Sequence, residues 1–178
     1  MPASLQNSRR VGSIPTSSAN VVLGERFKLV VCFKKLIIKN EMENKNTIGK
    51  ITELEVLSYI IKLGYSVSIP FGDKDRYDQI WDINGKLLRI QVKTSSPIDE
   101  EVSAIKFSCK SVSNGKAHIY TKEEIDYFAT CWGGKVYLIP IEECSVEKKL
   151  RFLPPKNGII KGINWAKDYL VEEVINNL

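Results

Sequence analysis

Residues 78–93 read Asp78-Gln79-Ile80-Trp81-Asp82-Ile83-Asn84-Gly85-Lys86-Leu87-Leu88-Arg89-Ile90-Gln91-Val92-Lys93. An Asn-Gly pair between two runs of apolar residues is the strongest short hairpin signal, because a type I′ turn needs positive φ at both central positions. With Asn84 and Gly85 as that pair, Ile83 opposes Lys86. Counting outward, Asp78 falls directly across from Gln91. Opposed residues project from one face with Cβ atoms roughly 5 Å apart. Lys93, two residues beyond Gln91, shares that face. The opposite face carries Tyr77, Trp81, Leu88, Ile90 and Val92, a core side. The hairpin therefore gathers a carboxylate, an amide and an ammonium at one end. A hairpin built only for stability gains little from that grouping.

Working outward, Ile48 to Leu63 reads as a helix with an apolar stripe of Val56, Leu57, Ile60 and Ile61 and a stop at Gly64. Glu53 lies three and four residues before Val56 and Leu57, so it borders the stripe that faces the sheet. Glu55 shares a more exposed face with Tyr59 and Lys62. Of the two glutamates, spacing brings Glu53 to the hairpin. Short strands are predicted at Tyr65–Pro70, Tyr77–Ile83, Lys86–Thr94 and Ala104–Cys109, the last with Ile105 and Phe107 on one face. Thr121 to Glu124 fits a capping box opening a short helix. Tyr127–Trp132 and Val136–Ile141 form a second hairpin around Gly133-Gly134. Asn164–Asn176 reads as a final helix with Trp165, Ala166 or Tyr169, Leu170 and Val174 inward. This order predicts one mixed α/β domain over residues 42–178.

Composition excludes several classes. The 178 residues suit one core, and 43% hydrophobic with 26% charged is the balance of a globular protein. Cys32, Cys109, Cys131 and Cys144 form no CxxC pair, which argues against a zinc site or a disulfide framework and fits a cytoplasmic setting. No apolar run is long enough to span a membrane. The net charge of +5 resides in residues 1–41, with seven Lys/Arg against two Asp/Glu. Residues 42–178 carry 19 of each sign. Any attraction to nucleic acid must therefore come from local patches.

Residues 1–41 show no sustained period, and Ser, Asn, Pro and Gly punctuate the first twenty. They are expected to be a disordered or non-native extension. Val11-Gly12-Ser13-Ile14-Pro15 can be back-translated to contain GGTTCGATTCC, the form of a transfer-RNA T arm, and Met42 offers a start just before the first helix. A basic arm that touches DNA phosphates is the other reading.

Gly49-x-x-x-Glu53, Arg76-Tyr77-Asp78 and Gln91-Val92-Lys93, in that order and spacing, resemble a PD-(D/E)XK nuclease. The similarity is greatest to a subgroup that includes a group I intron homing endonuclease, with glutamine in place of the usual acid. Asp126-Tyr127-Phe128-Ala129, Val136-Tyr137-Leu138-Ile139-Pro140 and Pro155-Lys156-Asn157-Gly158 extend it over residues 46–170. Tyr77 stands where the family name has proline. Gln91 stands where it has an acid, and a neutral amide adds no charge to a bound dication.

The resemblance implies an α/β, restriction-endonuclease-like core, with a mixed central sheet flanked by helices. It implies phosphodiester hydrolysis of double-stranded DNA with Mg2+, or Mn2+ in its place. Asp78, Gln91 and the backbone carbonyl of Val92 would hold the metal, Glu53 would act through a water, and Lys93 would lie beside the scissile phosphate. A homo-oligomer, dimer or tetramer, would supply a site for each strand. The alternatives are an inactive DNA-binding module on the same fold and a junction resolvase. Lys74 and Arg76 are candidate DNA contacts. His118, the sole histidine, reads as a surface or strand-end residue.

Overall fold

The computed structural model describes residues 45–72, 74–113, 115–155, 158 and 161–178, within one unit, Glu43–Leu178. The early extension, Lys156 and Asn157 lie outside the described residues. Helix α1, Lys45–Lys62, opens the unit. It is followed by β1 (Ser66–Ser68), β2 (Gln79–Ile83), β3 (Lys86–Val92), β4 (Ser96–Pro97), β5 (Ala104–Ser108), β6 (Lys110–Ser113), β7 (Lys116–Ile119), β8 (Tyr127–Trp132), β9 (Lys135–Pro140) and β10 (Glu147–Arg151). A 3-10 turn at Ala166–Tyr169 and helix α2, Val171–Ile175, close the chain.

The central sheet runs β1-β2-β3-β8-β9. Strands β3 and β8 pair in parallel and the other neighbours are antiparallel, so the sheet is mixed. At β8 and β9 both faces are buried, which explains why Phe128–Cys131 and Val136–Ile139 are unbroken buried runs, whereas β2 alternates buried and half-buried residues. On one face α1 and α2 cover a core of Trp81, Leu88, Ile90, Val92, Ala129 and Leu138. The other face is covered by a second sheet, β10-β5-β4, over Phe128, Tyr137, Ile139, Ile105, Phe107 and Leu150. Both α-helices among the described residues thus lie on one face. Among the described residues no helix is long and apolar enough to cross a membrane.

The decisive hairpin forms in the expected register. Asn84 has φ of 54° and Gly85 of 88°. Gln79 opposes Ile90, Trp81 opposes Leu88 and Ile83 opposes Lys86. Tyr77 departs from its expected face: the chain is not yet a strand there, and its ring packs with the second core. The stripe of α1 is also narrower than expected. Thr52, Val56 and Ile60 are buried, whereas Ile61 is exposed.

Three expectations are corrected toward the C-terminus. The Thr121–Glu124 box forms, with Thr121 N–H donating to the Glu124 carboxylate at 3.0 Å, but it closes a single turn and no helix follows. The final helix is broken at Leu170, whose extended backbone (φ −56°, ψ 134°) bridges to Tyr137 on the sheet edge. Strand β10 escapes pattern reading because its inward residues are Lys148 and Leu150. Lys148 is buried, yet its ammonium donates to Glu143 Oε2 at 3.0 Å and Tyr169 Oη at 3.1 Å. Burial depresses its pKa, but these partners outweigh burial and hold it above the ordinary lysine value.

One ion pair braces the parallel β3–β8 junction of the central sheet. Asp126 accepts from Arg89 N–H at 2.8 Å, from Nε at 3.1 Å and from Nη2 at 2.9 Å, while its own N–H donates to Arg89 O. Burial raises the Asp126 carboxyl, but these donors prevail and hold it below its ordinary value of 3.8. A depressed carboxyl stabilises the fold above its unfolded pKa, and that stability is lost as pH falls through the folded pKa. Asp126→Asn should therefore cost on the order of 1–2 kcal/mol at pH 7, the lower part of the range for charged hydrogen bonds because the pair is partly solvated. Urea unfolding of both proteins should show that gap closing as pH drops below 3.8. A gap that is constant with pH would mean that the carboxylate charge plays no part.

Candidate active site

The end of the β2–β3 hairpin carries the polar cluster. Asp78 lies just before the ladder, which ends at Gln79 opposite Ile90, and its N–H donates to Ile90 O at 2.9 Å. Its Oδ2 accepts the Val92 N–H at 2.7 Å and the Gln91 side-chain amide. Lys93 continues β3, its N–H donating to Ala129 O at 2.8 Å, so β8 holds it from the other side. Its half-buried ammonium donates to Tyr120 Oη at 3.2 Å and lies 4.8 Å from the centre of that ring. Backbone pairing on two sides thus fixes where all three side chains start.

Glu53 arrives from α1. Gln79, buried on the core face of β2, donates its amide to Glu53 O at 2.8 Å and accepts from Trp81 Nε1 at 2.9 Å. Thr52 and Thr94 hydroxyls pair at 3.0 Å between the helix and the chain beyond β3. These contacts dock the helix turn that bears Glu53 against the hairpin end. The Glu53 carboxyl is raised by burial and then by the charge of Asp78, while Lys50 lowers it. Asp78 is raised by burial too, and the Val92 N–H, Lys93 and Gln91 pull it only part of the way back. Two neighbouring carboxyls above their ordinary range is the electrostatic profile that a bound cation relieves.

The donor chemistry fits such an ion. Gln91 Nε2 donates to Asp78 Oδ2 and also faces the Val92 carbonyl at 3.3 Å. An electropositive NH2 group thus takes up the space between the two oxygens expected to hold a metal. Rotation of the amide would present its oxygen instead, alongside theirs. Among the described residues no three His, Cys, Asp or Glu side chains cluster as a metal-holding group. The set is two carboxylates, an amide and a backbone carbonyl: hard oxygen donors that suit Mg2+ or Mn2+ rather than zinc.

Of the sequence-predicted residues, Asp78, Gln91, Val92 and Lys93 come together, with Glu53 within electrostatic reach of Asp78. Lys74 is exposed in the loop before Asp78. Arg76 pairs with Glu124 at 3.4 Å. His118 has the acid partner that local sequence did not suggest, Glu124 at 2.8 Å, six residues on across a turn. Gln79 and Tyr120 were missed as positioning residues. Gln79 is signalled by an amide at an inward strand position. Tyr120 lies far from the hairpin in sequence and carries no local signal.

Comparison with known proteins supplies the remaining support. Residues 42–172 match a family described as PD-(D/E)XK endonuclease. A comparison with curated proteins gives no match. Among solved structures the fold is similar to a bacterial homing endonuclease, I-Ssp6803I, with TM-score 0.62 and 17% sequence identity over 76% of this chain and 95% of that one. At that identity the likeness speaks for the fold. The family match spans the Glu53 helix, the Asp78–Lys93 hairpin and the strand that braces it. The chain belongs to the PD-(D/E)XK endonuclease family.

Proposed function

We propose that this endonuclease is a Mg2+-dependent enzyme that hydrolyses phosphodiester bonds of double-stranded DNA, with Mn2+ able to substitute, and that its role is of the homing type. One observation carries the reading. Asp78, Gln91, the Val92 carbonyl and Lys93 converge at one hairpin end, with the Glu53 carboxylate beside them. The homing assignment draws on the solved structure of similar fold, which is titled a bacterial homing endonuclease.

Asp78, Gln91 and Val92 O would hold the metal, with Glu53 behind them. When bound, the metal supplies positive charge that polarises the scissile phosphate and lowers the pKa of water. Lys93 places a cation where negative charge develops on the phosphate, and its hydrogen bond to Tyr120 fixes that position. Glu53, raised by burial, is suited to orient water and hold a proton. Lys74 is proposed to touch backbone phosphate, and so is Arg76 if Glu124 yields it. Cutting both strands calls for two such sites, which a symmetric dimer or tetramer would supply.

Two sets of variants test this. Asp78→Ala and Lys93→Ala should each lower single-turnover cleavage of plasmid DNA by at least about 100-fold, the scale of losing one transition-state contact. Lys93→Ala should keep DNA binding in Ca2+. Wild-type rates from either variant would remove the assignment. Junction substrates cut in preference to plasmid would point to a resolvase.

Gln91 separates metal binding from turnover. Gln91→Glu sets a second carboxylate against Asp78 at a position that is 8% exposed, so the metal-free protein should melt at a lower temperature. Mg2+ should restore it, with a larger upward shift than in the wild type and half-saturation of cleavage at lower Mg2+. Gln91→Leu should weaken metal binding sharply. If it titrates with Mg2+ as the wild type does, Gln91 is only a strand residue, and the metal rests on Asp78 and Val92 O.

A further inference from the structure

The β6–β7 hairpin belongs to neither sheet. It is a two-stranded ribbon of its own, pairing Lys110 with Ile119, Ser111 with His118, Val112 with Ala117 and Ser113 with Lys116. Its root lies beside Lys93. Cys109, immediately before β6, is 1% exposed, and Tyr120, immediately after β7, is 9% exposed and bonded to the Lys93 ammonium. Beyond that root the ribbon is exposed: Val112, Gly115, Lys116, Ala117 and Ile119 all face solvent. Pair alternation puts Lys110, Val112, Ala117 and Ile119 on one face. The other face is held to the domain at its base, where His118 bonds Glu124 at 2.8 Å and meets the Tyr120 ring edge-on.

A ribbon held at its base, with Val112 and Ile119 exposed, has little reason to exist for stability. Its dimensions and charge suit one partner. Four residues of strand reach about 13 Å. The major groove of B-DNA is about 12 Å wide and about 8.5 Å deep, and it admits a two-stranded ribbon. Residues 110–119 carry Lys110 and Lys116 and no acid, although residues 42–178 as a whole are neutral. The local charge therefore complements a phosphate backbone where bulk charge does not.

We propose that the β6–β7 hairpin is the element that enters the DNA major groove beside the cut, with Lys110 and Lys116 on flanking phosphates and the Val112–Ala117 face against base edges. The proposal rests on the nuclease reading above. Because the ribbon is rooted at the residue that bonds Lys93, the base pairs it meets are those next to the scissile phosphate. Val112 and Ile119 offer the apolar contact that a thymine methyl accepts.

The test uses the full chain in Ca2+ with a labelled 30-base-pair random-sequence duplex, titrated at several salt concentrations. Replacing both lysines, Lys110→Gln with Lys116→Gln, should leave the melting temperature unchanged. It should make the slope of log K against log salt shallower by about 1.8, the release expected for two phosphate contacts. Methylation of guanine N7, which projects into the major groove, should interfere with wild-type binding next to the cut in plasmid-derived substrate. An unchanged slope in a folded double variant overturns the proposal while leaving the nuclease reading intact. So does interference confined to sites away from the cut. A change in sedimentation with no change in slope overturns it in favour of contact between copies of the chain. A wild type that binds no duplex overturns both readings together. Val112→Asp provides an independent arm, since a carboxylate facing base edges should weaken binding at least tenfold, and wild-type affinity would again overturn the proposal.

Discussion

The positive φ of Asn84 and Gly85 is the constraint on which the rest of the site depends. A two-residue turn fixes which residues oppose each other along β2 and β3, and a slip of one residue would turn every side chain to the other face. Trp81, Leu88 and Ile90 would then leave the core under α1, and Asp78 would point into it. Burial of Trp81 and Ile90 at 0% exposure therefore locks the register from one side of the sheet, while the turn locks it from the end. The polar cluster inherits its precision from both. Asp78 receives the Val92 N–H because the ladder ends there, and Lys93 is braced because its own N–H is spent on Ala129 in β8.

This arrangement places charge at the boundary of two apolar cores. Burial alone pushes Asp78 and Glu53 toward their neutral forms, so each needs a compensating partner to be of use as an anion. The chain supplies hydrogen-bond donors to Asp78 and a nearby ammonium from Lys93. An amide at position 91 fits this balance. It donates to Asp78 without adding a third negative charge, and rotation of the amide would turn its oxygen toward the proposed cation. A carboxylate there would bind a cation more strongly, but it would leave the empty pocket more strained. On the proposed function, the glutamine is a compromise between affinity for the cation and repulsion with Asp78.

What could be read from sequence followed from periodicity and turn chemistry. The hairpin register, α1, the second hairpin around Gly133-Gly134 and the convergence of Asp78, Gln91 and Lys93 all rest on local rules and were legible. What stayed hidden depends on partners distant in sequence. Lys148 masks β10 because its inward charge is satisfied by Glu143 and Tyr169. Leu170 interrupts the last helix because the edge of β9 offers it a bridge at Tyr137, which propensity cannot foresee. Tyr120 reaches Lys93 only once β8 has packed against β3. The β6–β7 hairpin is a different kind of miss, since Asn114-Gly115 carries the same turn signal as Asn84-Gly85. Its flanks lack the apolar alternation of a half-buried strand because the ribbon packs on so little.

That contrast between the two Asn-Gly hairpins is itself informative. One has a face sealed by α1 over Trp81, Leu88 and Ile90, and its candidate site residues lie at its open end. The other is joined to the domain at its root, through Tyr120 and through His118 on Glu124. Glu124 also holds Arg76 and the Thr121 N–H, so a single carboxylate ties the ribbon to the segment that leads into Asp78. Displacement of the ribbon would pull on Glu124, and through it on both Arg76 and the turn before β8. Displacement through Tyr120 would pull on Lys93 directly. The exposed ribbon and the polar cluster are therefore joined at two points, one through Tyr120 within the second hydrophobic core and one through Glu124 at its polar margin.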